Sequence, residues 1–252
     1  MHQDVMSSLY MSYDGIPLWL VETFPDPTNP YPWPLDAVNA WAEGYLTQAC
    51  SEGFQQVYNN TNDALERWAL FWAHVAQTLG PMPSVIGYDY MNEPWVGDFF
   101  TDPSLLLPGV AGQKNLLPCY DYIHSVIREY DMETIQFYEP ITYGVVFEGN
   151  VTGNGFDTVP GGPAYADLSA YSYHTYCWSV DLLPPDATDE EREEAVAKCT
   201  DILLPQIFES QAADVERTGG AAMLTEFGLC KTSGTQINIL CEVSSFNYMY
   251  SV

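Results

Sequence analysis

Four short apolar runs in this chain end in groups able to do chemistry. Asn92-Glu93 follows SVIGYDYM, Glu139 closes TIQFYE, His174 and Tyr176 end DLSAYSYHTY, and Glu226 stands in AAMLTEFG. Two carboxyls about 5–5.5 Å apart can cut a glycosidic bond with retention of configuration. One stays protonated and gives its proton to the leaving oxygen, while the other is ionised and attacks the sugar carbon. Burial and neighbouring charge set the two protonation states apart. Glu93 and Glu226 form such a pair if their strands converge. An amide beside the acid, Asn92, can bond a sugar hydroxyl. The Tyr176 hydroxyl can hold a nucleophile's oxygen, and His174 can orient an acid. Trp95 and Trp178 offer flat faces for sugar stacking. A plainer account of each remains open, because acidic strand ends also make structural salt bridges and aromatics also pack. Glu139 fits a supporting role better than a chemical one. His74 and His124 fall within helical patterns, as surface or core residues.

The elements that must position these groups alternate. Residues 14–34 hold six prolines and several aromatics, the composition of a structured surface loop. Leu35, Val38, Trp41, Ala42 and Tyr45 have helical spacing, which predicts a helix over 35–53. A second helix is predicted over 63–79, with Asn62 as N-cap and Gly80 as stop. A strand at SVIGYDYMN, a loop over 97–114, a helix over 116–130 and a strand over 134–140 follow. A Gly-rich loop spans 141–165, then come a strand over 167–176, a charged helix from Asp189 to about Arg217 and a strand over 221–228. Helix and strand in alternation predict a parallel sheet wrapped by helices. Such folds put their chemistry at the C-terminal strand ends.

Composition limits the partners. Seven Lys plus Arg against 34 Asp plus Glu give a net charge of −27. That surface repels phosphate backbones, so nucleic acid is not an expected partner. It suits solubility in an acidic or salty medium. No apolar run is long enough to span a membrane. MHQDVMSSLY lacks the basic start and apolar centre of a signal peptide. Six cysteines occur without a C-x-x-C pair, which argues against a zinc or redox motif. Cys177/Cys199 and Cys230/Cys241 each flank a short loop and are disulfide candidates. With the sequons at Asn59 and Asn150, they point to a secreted or lysosomal setting.

GYDYMNEPWVGD, followed downstream by LTEFG, resembles glycoside hydrolase family 5, the cellulase family. More narrowly, MHQD, N-E-P-W-x-G-D, Y-H-T-Y-C and L-T-E-F-G-L-C resemble its endoglycoceramidase-like branch, over residues 1 to about 241. The resemblance implies Glu93 as acid/base and Glu226 as nucleophile, with Asn92 assisting the acid/base. His174 and Tyr176 match an H-x-Y on the sixth strand; His2 matches a His ending the third, with Asp4 beside it. No metal or organic cofactor is implied. The implied activity is cleavage between the oligosaccharide and ceramide of a glycosphingolipid, and apolar loop residues Phe99, Phe100, Leu105, Leu106 and Leu107 are candidates for a lipid groove or for loop packing. A peripheral contact with lipid surfaces belongs to the same expectation. The alternatives are a glucan- or mannan-cleaving hydrolase, or a barrel fragment that binds glycan without turning it over. The family fold is a (β/α)8 barrel, and this chain matches roughly strands three to seven of it. It is therefore expected to be a single partial catalytic domain, residues 1–252, truncated at both ends. The family's Arg on strand two and Trp on strand eight have no counterpart here. Truncation at the start would also account for the lack of a signal peptide, and an open sheet would leave unpaired strand edges.

Overall fold

The computed structural model describes residues 2–10, 14–39, 41–141, 153–176, 183–184 and 186–228. Its centre is a four-stranded, all-parallel sheet in the order β1-β2-β3-β4. The strands are β1 (Gly87–Asp89), β2 (Ile135–Tyr138), β3 (Ser169–Tyr176) and β4 (Ala221–Gly228). These are the four predicted strands, in order, and they correspond to strands four to seven of the barrel that the resemblance implies. Residues 2–6, where strand three would end, form bends rather than a strand. Among the described residues β1 and β4 are the sheet edges.

Among the described residues six α-helices accompany the sheet: α1 (Leu18–Val21), α2 (Gln48–Tyr58), α3 (Ala64–Leu79), α4 (Leu117–Arg128), α5 (Asp189–Lys198) and α6 (Leu204–Thr218). The helix predicted over 35–53 is two elements, a 3₁₀ stretch at Trp41–Leu46 and then α2. Thr47 divides them: its buried hydroxyl accepts the amide of Cys50 at 3.4 Å, satisfying a donor that a new helix start leaves open. Asn62 is not the cap of α3. It and Asp63 are left-handed, and the Asn60 side chain instead accepts from Leu65 and Glu66, at 3.0 and 3.2 Å. The long charged helix is also interrupted. Pro205 cannot donate an amide hydrogen, and a π-helical turn at Cys199–Leu203 separates α5 from α6. Pro118 does the same at the start of α4, behind a π turn at Gly112–Leu116.

The two faces of the sheet differ. Tyr88, Tyr138 and Tyr171 face the helices and join Trp68, Trp72, Tyr120 and Phe156 in an aromatic core. Alternation sends Asp89, Phe137, Ser172, His174 and Tyr176 to the other, concave face. There the side chains form layers, as inside a barrel. Phe137 lies over Gly87, where a Cβ would come within 2.2 Å of its ring, so only glycine fits opposite it. Above sits Asp89, bonded by the Ser172 hydroxyl at 2.9 Å. The acidic groups come last, at the C-terminal rim.

β3 and β4 shift register once. Tyr173 pairs with Leu224, but His174 pairs with Glu226, leaving Thr225 as an extra residue. In a regular ladder Thr225 would face His174, and Glu226 would turn to the helices. The bulge therefore puts the carboxylate on the concave face.

Candidate active site

After β1 ends at Asp89, the chain turns across the rim through residues 90–96. A turn of this kind leaves carbonyls with no strand partner, and each buried one must find a donor. Here side chains supply them. Trp68 and Trp72 both donate indole N–H to the Tyr90 carbonyl, at 3.3 and 3.1 Å. Gln3 donates its side-chain amide to the carbonyls of Asn92, at 2.9 Å, and Glu93. The Tyr58 hydroxyl bonds the Trp95 carbonyl at 2.6 Å, and the Asn115 amide that of Val96 at 2.7 Å. Asn92 returns its own side-chain amide to the Gln3 carbonyl at 3.1 Å. Glu93, so held, adopts a left-handed backbone with φ of 46°. For a residue other than glycine that conformation costs on the order of 1–2 kcal/mol.

Glu93 is buried, and its carboxylate faces His174. His174 Nδ1 lies 2.9 Å from Glu93 Oε1 and 3.6 Å from Glu226 Oε2. One oxygen of Glu93, one of Glu226 and a nitrogen of His174 all lie within 4.8 Å of one another. Tyr176 donates its hydroxyl to Glu226 Oε2 at 2.9 Å. Burial, then the hydrogen bond and charge of Glu226, raise the Tyr176 pKa, so its proton stays available to donate. Glu226 is a third exposed, the more open of the two carboxylates. Two acids within one sugar bond's width, one enclosed and one open with a hydroxyl on it, suit double displacement.

Other predicted residues join the same rim. His2 is exposed, with Nε2 3.6 Å from Glu226 Oε1 and Nδ1 3.2 Å from Asp14. Asp4 sits beside it. Burial first, then Asp14, and after it Glu93 and Glu226, push the Asp4 carboxyl up to about 6, against an opposing effect of His2. Among the described residues, two sets of side chains have donor atoms spaced to hold a metal ion, Glu93/His174/Glu226 and His2/Asp4/Asp14. The first is the acid pair itself, in which Glu93 is hydrogen-bonded to His174 and Glu226 to Tyr176.

Trp95 departs from expectation. It is 4 % exposed, packs against Tyr45 and Phe99, and donates its indole N–H to Ser51 at 3.3 Å. With both faces enclosed it is a core residue, not a sugar platform. Trp178, Cys177, Cys230 and Cys241 lie outside the described residues. Cys199 is disulfide-bonded, while Cys50 and Cys119 are free and buried. The loop leucines divide: Leu105 is buried, whereas Leu106 and Leu107 are exposed.

Three contributors were not anticipated. Gln3 fastens the Glu93 segment, Asp89 lies in the layer beneath, and Asp14 holds His2. Asp89 left a trace, a lone acid in an otherwise apolar strand. Gln3 left only its place between His2 and Asp4.

Comparison with known proteins gives the family from two directions and the fold from a third. The model for cellulase (glycosyl hydrolase family 5) matches residues 39–250. An endoglycoceramidase of Cyanea nozakii is 43% identical over 191 residues, covering 70% of this chain and 37% of that protein. One of Hydra vulgaris is 36% identical over 258 residues, covering 96% and 44%. Endo-glycoceramidase II from Rhodococcus sp., solved as a ganglioside GM3 complex, superposes with a TM-score of 0.57 at 20% identity, over 97% of this chain and 61% of that one. The chain belongs to glycosyl hydrolase family 5. It spans less than half the length of the two curated relatives. At 20% identity, the likeness to the Rhodococcus structure is one of fold, a partial (β/α)8 barrel.

Proposed function

We propose that this chain carries the acid/base and the nucleophile of a retaining glycosidase that separates the glycan of a glycosphingolipid from its ceramide. The observation that carries the reading is the approach of Glu93 and Glu226 within 4.8 Å across the strand-end rim. Glu93, enclosed and hydrogen-bonded to His174, gives its proton to the glycosidic oxygen. Glu226, its oxygen held by Tyr176, attacks the anomeric carbon and forms a glycosyl ester. The Glu93 carboxylate then takes a proton from water, which opens the ester. Similarity to two endoglycoceramidases supports the glycolipid substrate class. Exposed Leu106, Leu107 and Trp33 offer apolar surface for a contact with a lipid layer. A secretory location is part of the proposal, supported by the Cys199 disulfide and by exposed Asn59 in its sequon.

The test is incubation of the chain with ganglioside GM3, and with soluble glucan and mannan in parallel. Release of intact ceramide and oligosaccharide, lost in Glu226→Gln by at least about 10³-fold, is the expected result. Cleavage of the polysaccharides alone would replace the glycolipid by a glucan or mannan. No cleavage of any of the three would remove the activity from this chain.

A further inference from the structure

Glu139, the residue just past β2, is used by no step above, yet it touches both sides of the acid/base. Its side chain is nearly enclosed, with the residue 3 % exposed. Oε2 accepts the backbone amide of Glu93 at 2.9 Å, and Oε1 lies 3.4 Å from His174 Nε2. The other imidazole nitrogen, Nδ1, is the one 2.9 Å from Glu93 Oε1. His174 thus bridges two carboxyls, and the nitrogen that carries its hydrogen is fixed by what the far carboxyl offers. Carboxyls surround this imidazole: Glu93 from the rim turn, Glu139 from just past β2 and Glu226 from β4, with the charge of Asp89 on β1 also acting on it. Among the described residues, the ion pairs of Glu93, Glu139 and Glu226 are all with histidines.

We propose that Glu139 is a positioning residue for the acid/base: as a neutral acid it keeps its proton and donates a hydrogen bond to bare Nε2 of His174, so that the imidazole presents Nδ1–H to Glu93. The hydrogen on Nδ1 then steadies the Glu93 carboxylate formed when the glycosidic oxygen is protonated. The same carboxyl accepts the Glu93 amide and fixes the strained backbone. Burial, and next the charge of Asp89, raise the Glu139 carboxyl well above the usual range, in keeping with the neutral form. The alternative, an ionised Glu139 against an imidazolium, buries another anion among three carboxyls.

This inference rests on the glycosidase reading for its purpose, but its test does not need turnover. The chain has four histidines, so ¹⁵N-labelled protein gives an assignable imidazole spectrum. Wild type and Glu139→Gln should both show His174 with Nδ1 protonated and Nε2 bare, because a neutral amide can accept from Glu93 and donate to Nε2 as the acid does. Glu139→Leu, checked for folding by circular dichroism, should move the hydrogen to Nε2 or to a mixture. Where turnover is measured, Glu139→Gln should keep the rate and its pH profile. Glu139→Leu should lose roughly 10- to 100-fold in kcat with KM little changed. Two results would overturn the proposal: a doubly protonated or Nε2-protonated His174 in wild type, or a Glu139→Gln spectrum unlike wild type. If wild type cleaves no glycolipid, the function fails while the nitrogen pattern still decides the role of Glu139.

Discussion

Glu93 is held from its backbone as much as from its carboxylate. Gln3 occupies the carbonyls of Asn92 and Glu93, and its own oxygen accepts the amide of Met6 at 2.9 Å. Gln3 is fully buried, so Gln3→Ala leaves several polar groups without partners. We predict a loss of about 1–3 kcal/mol in urea unfolding. Because a small displacement of an acid is costly in rate, kcat should also fall roughly 10- to 100-fold. Unchanged stability and rate would show that the rim turn is fixed by other means. At this scale the sequence was informative where a polar residue closes an apolar run, as Glu93, His174 and Glu226 do. It was silent on Gln3, an uncharged amide in a short stretch without periodicity. It misled at Trp95, because an indole beside an acid is equally suited to a sugar and to a core, and only burial tells them apart.

The strands are legible as elements because each is an apolar run closed by polar residues. The bulge at Thr225 is not, since register belongs to a pair of strands rather than to either one. Yet that bulge turns Glu226 towards His174. The helix breaks were signalled by Pro118 and Pro205, residues that open α4 and α6 rather than continue a preceding turn. α3 contributes by more than packing. Trp68 and Trp72, one turn apart, share the Tyr90 carbonyl. Either indole alone can satisfy it, so Trp68→Phe and Trp72→Phe should each cost about 1 kcal/mol or less through the lost bond. Both together should cost more than the sum, because the carbonyl then loses both indole donors. A double-mutant cycle by denaturant unfolding reads the coupling, and strict additivity would contradict it.

At the scale of the molecule, charge dominates. A net charge of −27 repels itself, and several acids are held neutral longer than in the unfolded chain. Asp4 shifts from an ordinary 3.8 to about 6; Asp89 and Glu139 shift in the same direction, by burial first. A raised carboxyl means the folded state binds the extra proton between the two values. Its contribution is full below 3.8 and is lost as pH rises through about 6. Thermal stability should therefore fall from pH 4 to pH 6, and Asp4→Asn should flatten that slope. Raising the ionic strength from about 0.01 M to about 0.15 M shortens the Debye length from about 30 Å to about 8 Å and should raise Tm at neutral pH. A stability that climbs across the same pH window, or a Tm insensitive to salt, would contradict this. The sequence shows the charge directly. It does not show which acids are buried against each other, since that depends on how strands distant in the chain meet at one rim.

The central claim is that Glu226 attacks and Glu93 protonates. Its most direct measurement is mass spectrometry of the chain after exposure to a 2-deoxy-2-fluoro-β-glycosyl fluoride, which slows the opening of the ester more than its formation. The account predicts one sugar added per chain, on the peptide carrying Glu226, and none in Glu226→Gln. A sugar on Glu93, or labelling that persists when Glu226 is replaced, would contradict it.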